Sequence, residues 1–258
     1  MKKIIFIFLL SITIFTISCK KESSTIINNI YEYEISDNEI QSINDLDDVL
    51  NVTSNKVSSS CVALEVKHSS GLINNTGIGS GVIIKKVDND YYVLTCRHVL
   101  FNNTNTLCDV IKIYLNGAYF NCEVVSYDND VDIALVKFSG DLNLPIVKLA
   151  EEVKLGKYVI SCSTMISLDY YNSISIGNIS HLDRIITEKN VQSKDVVNHY
   201  IQHTATINNG SSGGGLFNLN GELIGISDWK LNNSENMNFG ISVNIIREFL
   251  NNINDWKN

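Results

Sequence analysis

Ser212 stands inside TINNGSSGGGLFN (residues 206–218), where Gly210, Gly213, Gly214 and Gly215 crowd around a pair of serines. Such glycines mark a backbone in unusual dihedrals, or one approached too closely for a Cβ. A serine hydroxyl is a weak nucleophile until a neighbouring base takes its proton. The carbonyl it attacks develops an oxyanion that needs preorganised donors, commonly backbone N–H groups. A glycine-rich turn meets both needs, and for Ser212 the natural donors are the amides of Gly210 and of Ser212 itself. The chain offers five histidines as bases: His68, His98, His181, His199 and His203. His98 closes the apolar run of YYVLTCRHVL (91–100), which puts an imidazole at the rim of whatever sheet that run joins. Asp132, in SYDNDVDIALVKF (126–138), can orient such an imidazole. Taken singly, each has a plainer reading: a surface turn, a structural histidine, an aspartate capping a strand.

The elements that must bring these residues together are short strands separated by turn residues. CVALEV, GVIIKKV, YYVLTC, VIKIYL, FNCEVVSY, DIALVKF, KYVISCS, SISIGNIS, YIQHTA, GGLFNL, ELIGISD and FGISV all have strand character. VDND (87–90), LNGA (115–118) and LNGE (219–222) supply hairpin turns. Helical spacing is confined to Asp45–Val57, with its acidic start, and to the closing VNIIREFLNNIN. This pattern predicts an all-β barrel or sandwich with a terminal helix. Pro145 is the single proline, so no proline-rich linker divides the domain.

Other chemistries fit less well. Asp128, Asp130 and Asp132 are spaced like the start of a calcium loop, but Ile133 stands at the sixth position and Ser139 at the twelfth. GSSGG also matches the G-x-S-x-G elbow of α/β-hydrolases, which needs its histidine after the serine, and no histidine follows Ser212. A net charge of −8 argues against nucleic acid as a partner. No cysteine pair has CxxC spacing, so neither a zinc ribbon nor a redox dithiol is expected. Cys108 and Cys122 flank a hairpin-like segment without requiring a bond. The chemistry read here calls for no metal and no organic cofactor.

The N-terminus reads separately. MKKIIFIFLLSITIFTISC has two lysines, an apolar run and small Ser18 before Cys19. Residues 1–18 are expected to be a signal peptide of lipoprotein type, with Cys19 lipidated, although Thr16 replaces the leucine usual three positions before that cysteine. Residues 19–44 read as a polar tether and 45–258 as the functional domain. The expected location is exported, in the cell envelope, anchored to a membrane through the lipid. No oligomeric state follows from the sequence.

Taken in order, the segments resemble the chymotrypsin-fold (trypsin-like) serine proteases, in particular their HtrA/Deg-like bacterial branch. GIGSGVII and YYVLTCRHVL resemble that branch's Gly-Ser-Gly strand and Leu-Thr-x-x-His-Val box, DVDIALVKF its Asp-Ile-Ala-Leu box, and YIQHTATINNGSSGGGLFNLNGELIGI its nucleophile segment. The resemblance implies two six-stranded Greek-key β-barrels with a C-terminal helix. It implies His98 as general base, Asp132 as its orienting acid and Ser212 as nucleophile, with Gly210 and Ser212 forming the oxyanion hole. Substrate side chains are then expected against Thr206, Ile207, Phe239, Gly240 and Ile241. Departures are Asn209 in place of the family's proline, Ser211 in place of its asparagine, and Gly215 after the glycine pair. The PDZ domain that many relatives carry is not expected. The implied function is an exported serine endopeptidase acting on protein or peptide substrates in extracytoplasmic processing or quality control. The alternative is a catalytically silent module of the same fold that binds peptides or proteins. No Asp stands at Thr206, which speaks against a preference for Arg or Lys; small or medium apolar side chains fit better, and His203 suggests an acidic alternative.

Overall fold

The computed structural model describes residues 46–253, apart from 71, 72 and 103, together with Trp256. The expected signal peptide, Cys19 and the tether lie outside the described residues. The chain divides into two compact units at Thr53/Ser54. Of the first unit the structure describes residues 46–53, the opening of helix α1 (Leu46–Ser58), whose first turn carries Asp47 and Asp48 and whose last turn carries Lys56. Acidic residues first and a basic residue last complement the partial charges at the two helix ends.

The second unit holds twelve strands: β1 (Cys61–Ser70), β2 (Ile73–Val87), β3 (Asp90–Cys96), β4 (Val110–Leu115), β5 (Ala118–Tyr127), β6 (Ile133–Ser139), β7 (Tyr158–Ser163), β8 (Ser173–Lys189), β9 (Asp195–His203), β10 (Gly215–Phe217), β11 (Leu223–Lys230) and β12 (Asn238–Ser242). A four-residue helix α2 (Arg97–Leu100) follows β3, and α3 (Val243–Asn251) closes the fold. The strands form two closed six-stranded barrels, in the orders β1-β2-β3-β6-β5-β4 and β10-β11-β12-β9-β8-β7. Closure removes the unpaired edges that an open sheet would expose.

The alternation that builds the first barrel is plain in β4, where Ile111, Ile113 and Leu115 point inward and their neighbours outward. β3 departs from it: Tyr91 and the whole stretch Val93–Cys96 are buried. One face of β3 fills its own barrel, and the other meets the second barrel, where the Cys96 thiol donates to the Ser227 carbonyl over 3.2 Å. The second barrel is packed by Val159, Ile179, Ile201, Ala205, Leu216 and Ile224. Helix α3 lays Val243, Ile246, Phe249 and Leu250 inward, and its Arg247 guanidinium bonds the Ala150 carbonyl.

Ser80, on β2, ties the barrels together. Its N–H donates to the Ser212 carbonyl over 2.8 Å. Its hydroxyl donates to the Gly210 carbonyl and accepts the Thr164 N–H, each over 2.8 Å. Its own carbonyl accepts the Thr95 hydroxyl over 2.8 Å. Pro145 lies in the stretch 140–157 that leads from one barrel to the other. The cysteines of the described residues are all free thiols, so Cys108 and Cys122 are not joined.

Candidate active site

His98 sits in α2, just after β3 and two residues beyond the end of the expected strand YYVLTC, with about half of its side chain exposed (48%). Asp132 ends a tight turn before β6, with a left-handed φ of 57°, a conformation Asp tolerates better than most residues. The turn is held by one of its own acidic residues. The Asp128 carboxylate accepts the N–H groups of Asp130 (2.7 Å) and Val131 (3.1 Å), while the carboxylates of Asp130 and Asp132 turn to Asn190 and His98, so the trio that resembled a calcium loop does three separate jobs.

Arg97 clamps this turn to α2. Its N–H donates to the Asp132 carbonyl over 3.0 Å. Its Nε donates to Asn129 Oδ1 over 2.8 Å, another guanidinium nitrogen bonds Asn105, and the group lies 4.0 Å over the Phe101 ring. Asp132 is thereby delivered to His98 with both oxygens engaged. One accepts the His98 backbone N–H at 2.8 Å, and the other lies 2.5 Å from Nδ1. A proton on Nδ1 leaves the Nε2 lone pair free to act as a base. Burial pulls the imidazole pKa down, but the bond to Asp132 and its charge outweigh this, and the net effect raises it above the ordinary histidine value.

Ser212 comes from the second barrel, on the turn before β10. Gly210 (φ +89°) and Gly213 (φ +84°) both occupy the left-handed region that this turn needs. At Gly213 a Cβ would overlap the Ser80 carbonyl and the Thr95 hydroxyl, so the glycine lets the turn press against the first barrel. The Asn209 carbonyl accepts the Ile166 N–H over 2.6 Å. In a trans peptide this aims the Gly210 N–H the opposite way. Among the described residues, neither the Gly210 nor the Ser212 amide donates to another backbone carbonyl. His98, Gly210 and Ser212 line one cleft of about 490 Å³, with Val66, Ile78 and Phe101 on its walls. The Ser212 hydroxyl itself donates to the Asp228 carbonyl over 3.2 Å. Hydrogen bonds of this kind are often long or differently aimed before substrate arrives.

The expected substrate-binding residues are less open. Thr206 is exposed, and its amide donates to Ser175 Oγ over 2.7 Å. Ile207 is buried, and the Lys230 ammonium reaches its carbonyl at 3.5 Å. Phe239 is buried against the Trp229 ring, at 4.2 Å between centroids. Gly240 and Ile241 lie within β12, Ile241 fully buried. None of the five lines the cleft described above or a second one, of about 380 Å³, on the Asp132 side.

One residue escaped the sequence reading. Asp228 appeared there only as the end of the strand ELIGISD. In the structure its side chain is 4% exposed, and its Oδ1 lies 3.9 Å from His98 Nδ1. Cys96, His98, Asp132 and Asp228 present donor atoms within 4.8 Å of one another, a composition able to hold a metal ion. These groups are already engaged with one another through the His98–Asp132 pair at 2.5 Å and the Cys96–Asp228 contact at 3.9 Å.

The family model described as a trypsin-like peptidase domain matches residues 79–226, a span that includes His98, Asp132 and Ser212. Serine protease HTR4 of Rattus norvegicus is 33% identical over 201 residues, covering 76% of this chain and 38% of that protein. Serine protease Do-like HtrA of Lactococcus lactis is 33% identical over 162 residues, covering 61% of this chain and 38% of that protein. The chain thus spans well under half the length of these relatives. The solved structure of the Rv3671c protease from M. tuberculosis in its active form shares the fold, with a TM-score of 0.69 and 21% identity over 81% of this chain and 87% of that one. With two closed barrels and a family match that runs from β2 into β11, the chain belongs to the trypsin-like peptidase family.

Proposed function

We propose that the protein is a serine endopeptidase in which His98, Asp132 and Ser212 act as a triad. The observation that carries this reading is the two-point grip of Asp132 on His98, through the ring Nδ1 and the backbone N–H, at the edge of a cleft that Ser212 shares. Ser212 attacks the peptide carbonyl while His98 Nε2 takes its proton. Asp132 holds the ring and stabilises the imidazolium that forms. The Gly210 and Ser212 amides receive the oxyanion. His98 then returns the proton to the leaving amine, and water repeats the cycle on the acyl-enzyme. The similarity to HtrA-type proteases supports protein or peptide substrates. The exported, lipid-anchored setting rests on the sequence of residues 1–19 alone.

A fluorophosphonate probe tests the reaction. The wild type should be labelled at Ser212, Ser212→Ala should not be, and peptide turnover should fall by about 10⁴ to 10⁶-fold. A folded wild type that takes no label would favour the silent binding module instead.

A further inference from the structure

Asp228 plays no part in the reaction as described, yet it is the most deeply buried carboxyl group at the site, 4% exposed against 29% for Asp132. The groups facing it come from every neighbouring element. Asp132, before β6, presents a carboxyl oxygen within 4.8 Å of one of its own, and Glu188 of β8 adds a further negative charge. Tyr200 of β9 donates its hydroxyl to Glu188 over 2.5 Å. The Cys96 thiol at the end of β3 lies 3.9 Å away, and His98 of α2 is at the same distance. Asp130 and Lys189 line the adjoining cleft, where Lys189 pairs with Asp195 over 2.6 Å. The Arg97 guanidinium is turned to Asn129 and Asn105. Among the described residues no Lys or Arg forms an ion pair with Asp228.

Two carboxyl groups this close, one of them buried and with no Lys or Arg paired to it, do not both ionise at neutral pH. Asp132 accepts two N–H donors from His98 and is the better solvated, so it carries the charge. We propose that Asp228 is a positioning residue that works as a neutral carboxylic acid, its O–H donating to Asp132 and fixing the carboxylate that holds His98. Burial, then the Asp132 charge and the Glu188 charge, push the Asp228 carboxyl well above the usual carboxylate range. Its backbone carbonyl meanwhile receives the Ser212 hydroxyl, so this one residue touches the acid through its side chain and the nucleophile through its main chain. The inference rests on the triad reading for its catalytic consequence, but not for the protonation state itself.

The sign of the pH effect separates a neutral Asp228 from an ionised one. A neutral Asp228 adds no charge beside His98, so in Asp228→Asn the acid limb of kcat/KM stays within about 0.3 pH unit of wild type. The Asn amide still donates to Asp132. At alkaline pH the wild type loses activity as Asp228 ionises and repels Asp132, whereas Asp228→Asn keeps its plateau. If Asp228 were ionised at neutral pH, its removal would lower the His98 pKa, and the acid limb would move down by a unit or more. That shift overturns the proposal. Asp228→Val, without a donor, should lower kcat by roughly ten- to a hundred-fold with little change in KM, and Asp228→Asn should restore most of the loss.

An infrared measurement keeps the test independent of turnover and of variant folding. Wild type labelled with [¹³C]aspartate should show, at pH 7, the isotope-shifted carbonyl band of a protonated aspartic acid, and that band should be missing from folded Asp228→Asn. Its absence from the wild type overturns the proposal. A wild type that shows the band but takes no fluorophosphonate would defeat the triad reading and leave the neutral acid standing.

Discussion

At the scale of single residues, in the proposed triad the pairing of His98 with Asp132 sets the pH at which the site can work. The imidazole must be neutral to accept the Ser212 proton, and its pKa is raised. The acid limb of kcat/KM should therefore lie above the ordinary imidazole value of about 6.5. Asp132→Asn should move that limb downward and cost about 10⁴-fold in turnover, because the amide stabilises the wrong tautomer. A pH–rate profile of both proteins checks this. His203 behaves in the opposite sense. Its ring is fully buried, and burial, only partly offset by a hydrogen bond to the Ala205 backbone, lowers its pKa to about 4. Above the unfolded value of about 6.5 it costs nothing, since both states are neutral. As the pH falls from about 6.5 to about 4 the unfolded chain takes up a proton that the folded one refuses, and stability drops by of order 3 kcal/mol. Thermal melts should show His203→Leu flattening that decline. The sequence placed His203 beside the substrate, where its charge would matter. Its neutrality became visible only once the barrel had closed over it. Asp228 was hidden for the same reason: an aspartate at a strand end looks like a turn residue until burial and a second carboxyl group are known.

Among the elements, those with one buried and one solvated face were legible, because alternation records the difference. β4 is such a case. β8 is not: the reading stopped at Ser180, but the strand continues to Lys189 as an arm paired with β9. Leu182 and Ile185 are exposed there, and the register slips between Ile179 and Arg184, so no period marks the strand. The His98 helix α2 was likewise read as the strand's own end, since four residues are too few to show a helical repeat. The turn carrying Ser212 was legible through its glycines, and two of them should respond differently to a methyl group. Gly213→Ala meets both a left-handed φ and the backbone of the first barrel, and should lower the melting temperature by roughly 5 °C or more. Gly210→Ala meets a left-handed φ too and would place its Cβ 2.9 Å from the Thr164 carbonyl, so it costs stability as well, but in the proposed site it also disturbs an oxyanion donor. Its main effect should be on kcat, by about 10²- to 10³-fold. Differential scanning calorimetry beside steady-state kinetics separates the two.

For the molecule as a whole, His98 and Asp132 belong to one barrel and Ser212 to the other, so in the proposed triad the hydrogen bonds of Ser80 help hold the two halves of the site in register. Ser80→Ala removes the hydroxyl shared by Gly210 and Thr164 and should cost about 1–3 kcal/mol in stability, read by denaturant titration. The pairing of two barrels was implied by the order of three motifs; the seam was not, because Ser80 is one serine in a glycine-rich strand until its partners 84 and 130 positions away arrive. That seam also fixes what a single nick would do. Cut within residues 140–157, the chain would keep every member of the proposed triad but on two separate polypeptides, and it would become a heterodimer whose proposed activity fades on dilution and returns on mixing.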